Sequence, residues 1–216
     1  KNIKYFEEHG NYEITDIKSL KAEGRLPEDY KVWWGFEDKY LYTYAKQELT
    51  KIAAQDQPFA FTMLTVDTHH IGGYKCSQCV NEHPEQYENV ISCASRQVYA
   101  FVKWIMEQPF YENTSIIVTG DHPRMDNDMV EGVDYFDRTV YNCFINCETG
   151  DVSQLNTKNR TFTPMDIFPT TMAALGFKWD GNRLGLGTNM FSNQQTIAEE
   201  IGYDWFNQQL QYKSYY

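Results

Sequence analysis

Two short runs of apolar, aromatic and β-branched residues, Phe59–Val66 (FAFTMLTV) and Thr114–Thr119 (TSIIVT), flank a segment patterned as a helix. Such runs lack the polar alternation of a half-solvated strand, so both faces of the strands they form need cover. Between them, over Tyr87–Gln108, Val90, Ala94, Val98, Phe101, Val102 and Ile105 recur at helical spacing, and Pro109 closes the segment. This strand–helix–strand order predicts an α/β domain with a mostly parallel central sheet and helices on both faces. Val140–Asn146 reads as a third strand. A helix is expected over Phe36–Ala54, with Tyr40, Leu41, Tyr44, Leu49 and Ile52 on one face, and a shorter one around Thr15–Glu23, ended by Gly24. Thr163-Pro164 opens another: Thr caps, Pro fits the first turn, Asp166 sits near the positive end, and Gly176 stops it.

At 216 residues the chain is long enough for a single domain with its own buried core. No segment has the length and apolarity of a membrane span, and no signal peptide is visible. Lys1 is not an initiator methionine, so the chain reads as part of a longer or processed protein, and upstream membrane segments are compatible with it. The net charge of -11 repels nucleic acid and anionic headgroups alike, so no nucleic-acid partner is expected. An anionic substrate then needs a local positive site, such as a cation.

In sheets of this kind ligands gather at the carboxyl ends of the strands. Asp67–His70 follows the first apolar run and Asp121-His122 follows the second. A carboxylate and an imidazole in one turn can converge on Mn, Zn or Mg, with water or substrate completing the shell. As a bare dipeptide, Asp121-His122 reads more simply as a loop aspartate capping the next segment beside a surface histidine. His69 and His70 can bind a phosphate or relay a proton, and one of the two is expected to be a solvated loop residue. Asp67 either orients His69 or closes the turn. Trp33 and Trp34 suit stacking on a sugar or glycerol, with core packing as the default. The glycines around Arg183 in GNRLGLGTNMFS match no phosphate-binding fingerprint. No G-x-S-x-G elbow is present.

The five cysteines are Cys76, Cys79, Cys93, Cys143 and Cys147. Cys143 and Cys147 lie four residues apart in a strand, roughly 13 Å, which is too far for a bridge. Cys93 and one of Cys76 and Cys79 are better placed for a disulfide, which suits a location outside the cytoplasm. Cys76, Cys79, His83 and Cys93 also invite a zinc reading, but their spacing fits no usual structural-zinc pattern, which favours a disulfide with a spare thiol.

Five ordered blocks, TMLTVDTHHIGGY, YENVISCASRQVYAFVKWI, IIVTGDHPRMDND, TPMDIFPTTMAALGF and NRLGLGTNMFS, resemble the sulfatase-type branch of the alkaline phosphatase superfamily. Within it they are most similar to the phosphoglycerol transferases, which include lipoteichoic acid synthases and the enzyme modifying periplasmic glucans. The similarity runs from about Phe59 to Ser192 and turns Asp121-His122 from a surface turn into a metal-ligand pair. The resemblance implies a divalent metal, most often Mn2+, held by Asp121 and His122 together with an acidic residue and a threonine nucleophile from an upstream strand–helix unit. Those two residues have no counterpart here, so no catalytic nucleophile is expected within the 216 residues. The chain reads as the C-terminal part of a catalytic domain, inactive alone.

The substrate-binding histidine of the family matches His69, with His70 secondary. Arg124, Asp166 and Arg183 fall in matching blocks, and the two arginines are candidates for substrate binding. Cys79 would pair with Cys93. Implied partners are a phosphatidylglycerol-type lipid donor and a cell-envelope glycan acceptor. The implied location is the outer face of the bacterial membrane or the periplasm, with membrane anchoring through N-terminal segments. Two other readings keep the same residues: a sulfatase or phosphodiesterase using water as acceptor, and a non-catalytic glycan-binding module.

Overall fold

A computed structural model describes residues 3–10, 12–32, 34–123, 139–156 and 158–213. Trp33 and Arg124 therefore lie outside the described residues. The chain forms two compact units, Lys1–Glu107 and Gln108–Tyr216.

The first unit is helical: α1 (Ile3–Gly10), α2 (Ile17–Ala22), α3 (Asp38–Ala53) and α4 (Gln86–Met106). Asp16 starts α2 by accepting the N–H groups of Lys18 and Ser19, and Ser19 Oγ answers on the Asp16 N–H, a capping box. Leu20 of α2, Leu26 and Tyr44 of α3 form one buried cluster, with Ile17, Tyr30, Phe36 and Tyr40 packed on it. The helix expected over Tyr87–Gln108 is α4, and its apolar stripe buries Val90, Cys93, Phe101 and Ile105. Tyr42 of α3 meets Phe101 of α4 with ring centroids 5.1 Å apart.

Phe59–Val66 departs from its expectation. It pairs into no sheet among the described residues. An extended chain's period of two survives, since Phe59, Phe61 and Met63 are half-buried while Ala60, Thr62 and Leu64 are exposed, Leu64 by 76%. The physical reason lies in the backbone. Its last N–H groups, of Val66 and Asp67, donate to Oδ1 and Oδ2 of the buried Asp38 at 2.8 and 3.1 Å instead of to a neighbouring strand. A side-chain carboxylate here takes the place of a ladder.

The second unit begins with a 3-10 turn at Pro109–Asn113, followed by β1 (Ile116–Thr119), β2 (Asn142–Ile145) and α5 (Pro164–Ala174). Then come the two-residue strands β3 (Arg183–Leu184) and β4 (Gly187–Thr188), and the helices α6 (Ile197–Ile201) and α7 (Tyr203–Leu210). β1 and β2 pair antiparallel, with Ile116 opposite Ile145 and Thr119 opposite Asn142, and β3 and β4 pair antiparallel as well. The described residues thus hold helices and two small antiparallel sheets. The mostly parallel central sheet expected from the sequence is not formed among them. An apolar run specifies burial, whereas strand direction is set by which partner lies alongside.

α5 starts as expected at Thr163-Pro164. The buried Asp166 accepts both the N–H and the hydroxyl of Thr163 through Oδ2, and the N–H of Thr188 through Oδ1 at 2.7 Å. This one carboxylate ties the start of α5 to β4. The approach is so close that a Cβ on Gly187 would overlap the carbonyl oxygen of Met165 and lie 3.0 Å from Pro169 Cδ. Gly187→Ala therefore requires α5 and β4 to separate. It is expected to cost about 2 kcal/mol, within the usual range for an overfilled site. Thermal denaturation of the variant checks this, and an unchanged melting temperature would show that the two elements separate freely.

Candidate functional site

Asp121 and His122 directly follow β1, whose ladder with β2 is extended by the Gly120 N–H donating to Tyr141 O at 2.9 Å. Asp121 Oδ1 accepts the backbone N–H of His122 at 2.9 Å, which turns its carboxylate toward the imidazole. Asp121 Oδ2 then lies 3.4 Å from His122 Nε2. The other ring nitrogen, Nδ1, is 2.9 Å from the carbonyl oxygen of Pro123. A carbonyl only accepts, so this contact puts the proton on Nδ1 and leaves the Nε2 lone pair aimed beside the carboxylate. Such a tether is the usual second partner of a metal-bound histidine.

The spacing also fits a shared ion. Ligands about 2.1 Å from one cation stand roughly 3.0–3.4 Å apart in octahedral or tetrahedral geometry. Both side chains are exposed, and among the described residues no third carboxylate, imidazole or thiol comes within 4.8 Å of the pair to form a cluster. The pair thus offers two ligand atoms at a spacing that one ion could bridge. A cavity of about 230 Å³ opens beside it, lined by Gly120, Asp121, Val140, Asn142, Phe162 and Ile167.

In the first unit, the segment after Phe59–Val66 turns sharply. His69 N–H donates to Val66 O at 2.9 Å, and Tyr74 N–H donates to Asp67 O at 2.7 Å. Gly73 sits at φ +64, and a Cβ there would meet Asp67 O and Val90 Cγ1 at 2.8 Å, so only glycine lets this turn lie on α4. His69 Nδ1 is 2.6 Å from His70 O, which leaves Nε2 for a ligand: neutral it accepts a proton, and as imidazolium it donates to an anionic oxygen. Trp34, 67% exposed, packs its ring at 4.6 Å from the His69 ring. Of the two readings of Asp67, closing the turn is the one observed. Its carboxylate is buried with neither oxygen hydrogen-bonded. Burial, and then the neighbouring Asp38, push its pKa from 3.8 up to about 7.

Arg183 is engaged within its own unit, donating to Thr188 Oγ1, to the carbonyl oxygen of Gln195 at 2.9 Å and to Glu200. Asp166 is the structural tie described above. Cys79 and Cys93 are neighbours, as the disulfide expectation requires, and Cys76 joins them, all three sulfurs lying within 4.8 Å of one another. Asp38 and Gln97 were not singled out by sequence reasoning. A charged residue one step into an amphipathic helix was the only available signal for Asp38, and Gln97 gave none.

The sulfatase family profile matches residues 3–177. Phosphoglycerol transferase I of Escherichia coli (strain 55989 / EAEC) is 30% identical over 189 residues, covering 85% of this chain and 24% of the relative. The protein of the same name in Citrobacter koseri is 29% identical over 196 residues, covering 88% and 25%. The chain thus spans about a quarter of the length of the relatives it matches. No solved structure matches it. A profile covering most of the chain, relatives named for phosphoglycerol transfer and an Asp-His pair shaped for one cation agree: the chain belongs to the sulfatase family, whose members generally use a divalent metal.

Proposed function

We propose that this chain contributes the Asp121–His122 half of the metal site in a phosphoglycerol transferase. The donor is a phosphatidylglycerol-type lipid, and the acceptor is a hydroxyl of a cell-envelope glycan. The observation that carries this reading is the 3.4 Å approach of Asp121 Oδ2 to His122 Nε2, with His122 Nδ1 fixed on Pro123 O. Asp121 and His122 would hold a divalent ion, Mn2+ by preference, which would supply Lewis-acid polarisation of the phosphoryl group and acidify the attacking hydroxyl. The remaining ligands and a threonine nucleophile would come from an upstream strand–helix unit of the full-length protein, and the membrane anchor from its N-terminal segments.

In the first half-reaction the threonine oxygen bonds to phosphorus, the phosphorus–oxygen bond to diacylglycerol breaks, and the hydroxyl proton ends on the diacylglycerol oxygen. In the second, the glycan oxygen displaces the threonine oxygen, which recovers a proton. His69, as imidazolium, holds the phosphate through Nε2, and Trp34 on the His69 ring offers a face for the glycerol or sugar.

Full-length protein given Mn2+, phosphatidylglycerol labelled in its headgroup glycerol, and a glucan acceptor is expected to release diacylglycerol and label the glucan. Release of free glycerol phosphate with an unlabelled glucan would replace transfer by hydrolysis. Binding of glucan with neither product would replace the enzyme by a glycan-binding module.

A further inference from the structure

Among the described residues, a cluster of three soft ligands lies within the first unit. Cys76 and Cys79 flank a tight turn in which the Cys79 N–H donates to Cys76 O at 3.1 Å, so their side chains leave on the same side. The turn rests on α4 at Cys93. Cys76 Sγ is 3.6 Å from Cys79 Sγ and 4.0 Å from Cys93 Sγ, and Cys76 and Cys93 are buried. Thiolates about 2.3 Å from one tetrahedral ion stand roughly 3.8 Å apart, so these separations are the edges of a coordination polyhedron.

The fourth corner is also present. Gln97, one turn along α4 from Cys93, places its amide nitrogen 3.5 Å from Cys93 Sγ and 4.0 Å from Cys76 Sγ. Its amide oxygen is buried and has no hydrogen-bond partner. Amide nitrogen and oxygen exchange places by a half-turn of the side-chain end, which would bring the unpartnered oxygen to face the three sulfurs. His83, which lies between Cys79 and Cys93 in the sequence, is taken up by Ser92 Oγ at 3.0 Å.

We propose that Cys76, Cys79, Cys93 and the side-chain oxygen of Gln97 form a structural site for a thiophilic divalent cation, Zn2+. A disulfide uses two of the three sulfurs and leaves the third buried beside it, whereas one ion uses all three and satisfies the orphaned oxygen. Three thiolates around Zn2+ carry a net charge of −1. The ammonium of Lys39, which bonds Ser77 Oγ at 3.1 Å inside the Cys-x-x-Cys turn and pairs with Glu37 Oε1 at 2.6 Å, is the cation beside this turn. The site would pin the segment after the His69 turn onto α4, and bound zinc would keep all three thiols reduced.

The test separates this ion from the one at the Asp-His pair by using the full-length protein with Asp121→Ala. Purified under reducing conditions with zinc, it is expected to hold about one Zn2+ per chain by elemental analysis. Replacement by Co2+ should give sulfur-to-cobalt charge-transfer absorption. Cys76→Ser should weaken zinc binding by more than the roughly 10–100-fold that loss of an outer-shell partner costs. Gln97→Ala should weaken binding while keeping the charge-transfer band, because the sulfurs remain. Absence of that band in reduced protein overturns the proposal whatever the variants do. So does a Cys79–Cys93 disulfide, found by mass in protein isolated from its native compartment without zinc.

Discussion

Asp121→Ala in the full-length protein is expected to lower turnover by at least about a thousandfold, roughly 4 kcal/mol of transition-state stabilisation, with an unchanged melting temperature. The two halves of this expectation come from different features of one side chain. Asp121 is 69% exposed, and its one structural bond is to the adjacent His122 N–H. Surface substitutions of that kind stay within about 0.5 kcal/mol of neutral. In the proposed site the same carboxylate is one of the two ligands found among the described residues, and removing it leaves His122 Nε2. Mn2+ affinity and turnover should therefore fall together while the fold persists. Retained turnover with ordinary Mn2+ affinity would return Asp121-His122 to the surface turn that the bare dipeptide suggests. His122→Gln gives an independent check: it keeps a polar side chain but loses the nitrogen that the Pro123 carbonyl orients, and it should act in the same direction.

Helices were legible in the sequence because their signals are local. The stripe of Val90, Phe101 and Ile105 contains its own period, and Thr163, Pro164 and Asp166 carry the chemistry of a helix start within four residues. Phe59–Val66 was read as a buried strand because its composition is that of one. Pairing, however, belongs to two segments, and no composition shows that Asp38 would take the Val66 and Asp67 N–H groups. The antiparallel sense of β1 and β2 was hidden for the same reason.

At the candidate site, the identity of Asp121 and His122 was readable but not the device that makes them ligands. The backbone carbonyl fixing the imidazole proton depends on the local turn alone. Likewise the cysteine spacing suggests one pair and a spare, whereas the nearness of all three sulfurs depends on how the Cys-x-x-Cys turn lies on α4.

Asp67→Asn is expected to stabilise the protein at pH 8 and to leave it nearly unchanged at pH 4 or below. Asp67 is buried with both carboxylate oxygens unpartnered, and its pKa stands at about 7 in place of 3.8. The charged groups near it are Asp38 and Glu37, which hold its proton on, and Lys39, which opposes them; the buried Tyr42 stands close by. The sign follows from the raised value. Between about pH 4 and 7 the native chain keeps a proton that the unfolded chain has released, so stability declines as pH rises through that window and the full cost is reached above it. At roughly 1.4 kcal/mol for each pH unit of that interval, the charged form costs about 3 kcal/mol after some local relaxation. Asparagine matches the protonated acid in shape and in its lack of partners, so the two should be nearly equivalent at pH 4 or below, where the unfolded chain is protonated too, and already differ by about a third of the full effect at pH 5. At pH 8 the variant escapes the charge, and its melting temperature should exceed that of the parent by about 6–12 °C for a protein of this size. A variant destabilised equally at both pH values would mean that Asp67 is ionised and held by a partner, such as a cation, in the native protein. Because Asp67 closes the turn that carries His69, the parent should also show looser protection of the Asp67–Tyr74 amides at pH 8 than at pH 5, and the variant should not.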